Sequence, residues 1–215
     1  MVPIDGLCAT LSACKYAVQN NIAGDFVECG VWRGGNALIA ASVFKRYNSC
    51  KKVYLFDTFE GFDNITTTDK DNLIADMSNV SDEIRTDEDL QVLMAKLYDT
   101  AQNRNSLNAV RTTFEKCGLL DDNIVFVKGD VLETLNSCTL PSEICVLRLD
   151  TDLYESTKFE LESLYPRLSI EGVLMLDDYG FHEGSRLAVE DYFSENKKPL
   201  LQVIGSTNGR LAIKT

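Results

Sequence analysis

Five short apolar runs, separated by longer amphipathic stretches, constrain the fold of this 215-residue chain more than any other feature. The runs are Asp25–Cys29 (DFVEC), Lys52–Phe56 (KVYLF), Ile124–Val127 (IVFV), Ile144–Leu149 (ICVLRL) and Val173–Leu176 (VLML). Their brevity and their Val, Ile, Leu and Phe content suit strands of a parallel sheet that is covered on both faces. Between and after them, Ala37–Tyr47, Thr157–Leu168 and Arg186–Glu195 are patterned as helices. Thr157 and Glu160 have capping-box spacing, and Pro166 falls near the end of that helix. Such β/α alternation predicts a doubly wound α/β fold. Two last runs, Leu200–Ile204 and Arg210–Lys214, flank Gly205–Gly209 (GSTNG), a hairpin signal containing Asn-Gly. The hairpin brings the expected sheet to seven strands and makes it mostly parallel, with an antiparallel strand at its C-terminal end.

The whole span 1–215 reads as one domain, with a short helical segment over 1–24 and an acidic insert over 58–105. The insert is rich in Asp, Asn, Thr and Glu and holds a helix candidate at Glu88–Tyr98; it is either a lid over a site or a surface insertion. Hydrophobic residues make up 45%, enough for a large core without staples. With 33 acidic residues against 21 basic, the net charge of -12 excludes a large nucleic-acid surface and disfavours anionic membranes. No apolar stretch approaches the ~18 residues that span a bilayer, and no basic-then-apolar leader opens the chain. The seven cysteines form no C-x-x-C pair, so they read as reduced thiols, and a cytoplasmic location is expected.

Candidate chemistry gathers at the ends of the strands. The first run leads into Glu28-Cys-Gly30-Val31-Trp-Arg-Gly34-Gly35-Asn36, a glycine turn that lets a ligand approach backbone N–H groups. Its G-x-x-x-G-G spacing is not that of a dinucleotide fingerprint. Glu28 would repel a diphosphate and suits a ligand ammonium; otherwise it is incidental to a tight turn. Asp57, twenty-nine positions later at the tip of the second run, is placed to accept ribose hydroxyls. Asp130, before Val131 at the third tip, either takes an adenine amino group or caps a helix. The fourth tip carries Asp150-Thr151-Asp152 and the fifth Asp177-Asp178. In a parallel sheet these carboxylates converge on one crevice, where they repel unless a cation neutralises them. An all-oxygen set without His or Cys suits Mg²⁺; the bland reading is capping and solvation. The lone histidine, His182, is a surface residue, a substrate contact or a proton acceptor.

Together the strings FVECGVWRGG, LFDTFEGF, LRLDTDLYEST, LYPRLSIEGVLMLDDYG and GSRLAVEDYF, spanning roughly Asp25 to Tyr192, resemble the macrocin O-methyltransferase (TylF-type) family. The closing hairpin is likewise that of a class I methyltransferase. The resemblance implies a Rossmann-like fold that uses S-adenosylmethionine and Mg²⁺ to methylate a hydroxyl of a sugar or glycoside, with homo-oligomer formation. It implies that Asp150, Asp177 and Asp178 hold the metal and that Asp152 is the general base, with His182 as the other catalytic candidate. Glu28, Gly30, Asp57 and Asp130 would contact the cofactor, together with Val31, Gly34 and Asn36 of the glycine turn and Val131 beside Asp130. Family members usually carry a longer N-terminal region than the 24 residues that precede the first strand here.

Two other readings compete. A Mg²⁺-dependent glycosyltransferase would use Asp150-Thr151-Asp152 as a D-x-D motif, but Glu28 opposes a diphosphate and Asp57 and Asp177–Asp178 go unexplained. A non-catalytic binding domain would have kept the fold and lost the acids, yet they are all present.

Overall fold

The computed structural model describes residues 3–61 and 105–215, together with Asp69, Thr86 and Glu88. In chain order the elements are α1 (Ile4–Gln19), β1 (Asp25–Cys29), α2 (Gly35–Arg46), β2 (Val53–Asp57), α3 (Leu107–Lys116), β3 (Ile124–Lys128), α4 (Val131–Ser137), β4 (Ile144–Leu149), α5 (Tyr154–Leu164), β5 (Leu168–Leu176), α6 (Glu183–Ser194), β6 (Gln202–Val203) and β7 (Arg210–Ile213). The helix candidate Glu88–Tyr98 and most of the acidic insert lie outside the described residues.

The expected doubly wound sheet is present, with seven strands in the order β3-β2-β1-β4-β5-β7-β6. The first five are parallel, and β7 runs antiparallel to both β5 and β6. Strand order reverses between β1 and β4, so the crevice beyond their carboxyl ends is the position where such sheets bind ligands. Because side chains alternate along a strand, two cores form. Phe26, Leu55, Val146 and Met175 pack with α1, α2 and α3 on one face. Val27, Phe56, Leu147 and Leu174 pack with residues of α4, α5 and α6 on the other. Cys14 and Cys145 are buried in the first core and Cys29 in the second, as small apolar fillers, and none of the seven thiols is in a disulfide.

Local expectations change: β5 begins at Leu168 rather than Val173, and the helix expected to run to Leu168 ends at Leu164. α5 begins at Tyr154 rather than Thr157, and its N-cap residue, Leu153, provides no side-chain bond. Instead the carboxylate of Asp69, from the insert, accepts from the Tyr154 amide at 2.7 Å. Thr157 and Glu160 are therefore interior helix positions, and Glu160 accepts from the Thr151 hydroxyl at 3.2 Å. The helix α3 has no counterpart in the sequence reading, although Ser106 caps it by accepting from the Ala109 amide at 3.3 Å. No helix among the described residues is long and apolar enough to cross a membrane.

Gly30 shows how closely the strand tips pack. Its φ of +81° lies in the left-handed region, and a Cβ there would sit 1.8 Å from the Asp150 carbonyl oxygen. The turn after β1 is therefore glycine because the backbone beyond β4 fills the space. Gly35 differs: a Cβ there would meet only a Leu7 methyl at 3.8 Å. Gly30→Ala is expected to lower unfolding free energy by about 3 kcal/mol or more, whereas Gly35→Ala changes it by less than about 1 kcal/mol. Urea denaturation of the two variants measures the contrast; equal effects would remove the close approach at Gly30 as the reason for its glycine.

Candidate active site

The loop after β1 is held by the tip of β2. Asp57 Oδ2 accepts from the Val31 amide at 2.7 Å and the Trp32 amide at 2.9 Å, while Oδ1 accepts from the Phe59 amide at 2.6 Å. These three bonds pull the Asp57 carboxyl pKa down, yet burial is the larger influence and leaves it raised. Asp57 thus shapes the glycine turn. Trp32 completes the turn in a left-handed conformation, φ +48°, with the Arg33 guanidinium 4.5 Å from its ring centroid. Gly34 is the N-cap of α2, also left-handed at φ +77°.

Behind this turn lies a residue that the sequence reading passed over. Arg148 is in the middle of β4, paired in register with Glu28 of β1 and Met175 of β5. Two residues further along, alternation puts Asp150 and Asp177 on the same face as Arg148 and Glu28. The guanidinium is 2% exposed and donates to Glu28 Oε1 at 3.0 Å, Asp150 Oδ2 at 2.6 Å and Asp177 Oδ1 at 2.7 Å. With the Asn36 amide oriented to donate to Thr10, its oxygen accepts from Arg148 Nε at 3.1 Å and Nη2 at 3.2 Å. All five guanidinium N–H donors are then satisfied. The available signal was a charged residue inside an otherwise apolar strand, two positions before an aspartate. Asn36, expected at the cofactor, is 2% exposed and serves Arg148.

Glu28 is also buried, at 1% exposure, with Oε1 on Arg148 and Oε2 without a hydrogen-bond partner. Burial raises its carboxyl to about 7 against the pull of Arg148, with Asp57 and Asp177 adding to the rise. Its orphaned oxygen fits a further donor, such as the ammonium anticipated from the sequence.

The strand-tip acids converge as expected. One oxygen from each of Asp150, Asp177 and Asp178 lies within 4.8 Å of the others. A second set, Asp152, Asp178 and His182, meets the same limit and shares Asp178. Asp152, left-handed at φ +63°, has Oδ1 3.7 Å from His182 Nε2, and its carboxyl hydrogen-bonds that of Asp178. Burial, then the neighbouring Asp150 and Asp177, raises the Asp152 carboxyl to about 7 despite the bond to Asp178. Burial likewise holds Asp150 and Asp178 well above the ordinary carboxylate range. Among the described residues, the guanidinium of Arg148 does not balance the five acids at this edge (Glu28, Asp150, Asp152, Asp177 and Asp178). An oxygen-only cluster with unbalanced negative charge fits a hard divalent cation.

At the β3 tip, Asp130 is the N-cap of α4, its Oδ1 accepting from the Leu132 amide at 2.9 Å, and Val131 is buried as the first helical residue. The capping alternative for Asp130 is thus realised, with its second oxygen left for other contacts.

The macrocin-O-methyltransferase (TylF) family profile matches residues 7–205. A relative from Streptomyces olivaceus, 8-demethyl-8-(2,3-dimethoxy-alpha-L-rhamnosyl)-tetracenomycin-C 4'-O-methyltransferase, is 37% identical, over 83% of this chain and 62% of its own length. Mycinamicin III 3''-O-methyltransferase of Micromonospora griseorubida is 33% identical, over 83% of this chain and 63% of its own length. The chain thus spans about three-fifths of these curated relatives. Among solved structures, the O-methyltransferase NovP superposes with a TM-score of 0.82 at 26% identity, covering 100% of this chain and 81% of that one. On the extent of the profile match and these identities, the chain belongs to the macrocin O-methyltransferase (TylF) family.

Proposed function

We propose that the protein transfers a methyl group from S-adenosylmethionine to a hydroxyl of a sugar or sugar-bearing small molecule, in a Mg²⁺-dependent reaction. The observation that carries this reading is the convergence of Asp150, Asp177 and Asp178 within 4.8 Å at the switch point, directly beside the glycine turn of β1. The relatives' printed activities, O-methylation of glycosylated compounds, support the substrate class.

The residues divide the work by position. The glycine turn, Val31 and the Asp57 tip line the side where the cofactor lies, with Glu28 Oε2 for its ammonium and Asp130 and Val131 at its adenine end. Asp150, Asp177 and Asp178 would hold Mg²⁺. Held there, the ion would supply positive charge that favours loss of a proton from a substrate hydroxyl. Asp152, on the same loop and beside Asp178, is placed to take the proton. Bound S-adenosylmethionine would supply the methyl group and leave as S-adenosylhomocysteine, while the Asp152 carboxylate takes the proton of the accepting hydroxyl. His182, 3.7 Å from Asp152, orients that carboxylate or contacts the acceptor. Loss of the base typically costs ~10²–10⁴ in rate.

Calorimetry separates this reading from a nucleotide-sugar enzyme: S-adenosylhomocysteine is expected to bind at about micromolar Kd and UDP-sugars not at all, and the reverse would overturn it. With an acceptor found by screening deoxysugar glycosides and nucleotide-linked sugars, Asp152→Asn is expected to lower kcat by about 10²-fold or more while S-adenosylhomocysteine binding is kept. Unchanged turnover would remove Asp152 as the base.

The raised carboxyl pKa values also fix a pH trend. Unfolded carboxyls titrate near ~4, so between there and about 7 the metal-free folded state binds more protons than the unfolded one, and stability falls as pH rises. In EDTA, Tm is expected to drop from about pH 5 to about pH 8, with Mg²⁺ restoring more of it at the higher pH. A Tm that rises over this range without metal would contradict the assignment of these acids.

A further inference from the structure

Arg148 does more to the aspartates than offset charge. It occupies one oxygen of Asp150 through Nη1 and one of Asp177 through Nη2, at 2.6 and 2.7 Å. It is 2% exposed, and its other donors are fixed by Glu28 and Asn36, so the fork has no room to swing away from either carboxylate. Each of these two aspartates therefore has one oxygen engaged by Arg148, and bidentate binding would have to share that oxygen with the guanidinium. Small Mg²⁺ wants near-octahedral, one-oxygen carboxylate ligands and keeps positions for other oxygens, whereas Ca²⁺ takes six to eight oxygens and readily uses bidentate carboxylates. Partners that fix the ligands of a metal typically alter its affinity by ~10–100-fold.

We infer that Arg148 is a specificity-determining residue for the cation: by holding one oxygen each of Asp150 and Asp177, it restricts them to one-oxygen ligation and sets the site against Ca²⁺ in favour of Mg²⁺ and Mn²⁺. The inference rests on the metal-dependent reading above. Removing the guanidinium frees two oxygens and lowers the local positive charge. Lower charge strengthens all divalent cations alike, but freed oxygens favour Ca²⁺ selectively. The ratio of affinities therefore distinguishes the two effects.

Titration calorimetry with MgCl₂ and with CaCl₂, on protein saturated with S-adenosylhomocysteine, gives that ratio. Two variants are compared with the unsubstituted chain. Arg148→Lys keeps a charge but cannot fork across both carboxylates. Arg148→Met combined with Glu28→Gln avoids leaving the buried glutamate uncompensated. In both, the Ca²⁺ to Mg²⁺ affinity ratio is expected to rise by about tenfold or more. A ratio within about threefold of the unsubstituted chain in variants that bind metal overturns the role of Arg148 alone. Absence of any divalent binding by the unsubstituted chain overturns the metal-dependent reading with it. If the variants do not fold, infrared difference spectra of the unsubstituted protein decide the matter. Ca²⁺, although it readily takes bidentate carboxylates, should shift the protein's carboxylate bands to the wide splitting of one-oxygen coordination, and narrow bidentate splitting contradicts the inference.

Discussion

The guanidinium of Arg148 and the carboxylates around it are the interaction on which the site depends. Three neighbouring parallel strands, β1, β4 and β5, deliver Glu28, Asp150 and Asp177 to one face, and Arg148 contacts all three within 3.0 Å. Without a cation among them these closely placed acids would repel one another. With it, the acids are held in place before any ligand arrives, which is the preorganisation that an electrostatic site needs. Because Arg148 also meets Asn36 of α2, the same fork joins the loop after β1 to the tips of β4 and β5.

Charge at this edge remains uneven. Asp152 and Asp178 lie beyond the fork and share a hydrogen bond, and Glu160 lies buried below, with Oε2 on Thr151 and Oε1 without a partner. Burial drives the Glu160 carboxyl pKa well above its ordinary value, and its bond to Thr151 braces the Asp150–Asp152 loop. The insert reaches the same loop from outside through Asp69 and the Tyr154 amide. Thus the loop between β4 and α5 is fixed by Arg148 inside the sheet, by Glu160 below and by Asp69 from the insert, which is how Asp152 is kept at φ +63°.

Much of this was legible before any coordinates. Short, nearly continuous apolar runs alternating with helices suit a parallel sheet covered on both faces, so the sheet class followed, and β1 and β4 coincide with the runs Asp25–Cys29 and Ile144–Leu149. The strand-tip acids were legible because a parallel sheet gathers its carboxyl ends at one edge. What escaped was non-local. The start of α5 depends on Asp69, some 85 residues earlier, and no local capping pattern reveals it. Gly30 reads as a ligand-approach glycine, yet it is the Asp150 carbonyl that requires it. Arg148 was visible as a charge within an apolar strand, but its partners lie on three other elements, and only register shows that they share a face.

Anomalous scattering from Mn²⁺ in crystals grown with S-adenosylhomocysteine tests the assignment of this edge most directly. A single peak among Asp150, Asp177 and Asp178, with Arg148 still bonded to Asp150 and Asp177 and the nucleoside lying along the glycine turn, is the expected result. A peak elsewhere, or a nucleoside bound away from the β1 turn while those acids stay metal-free, would contradict it.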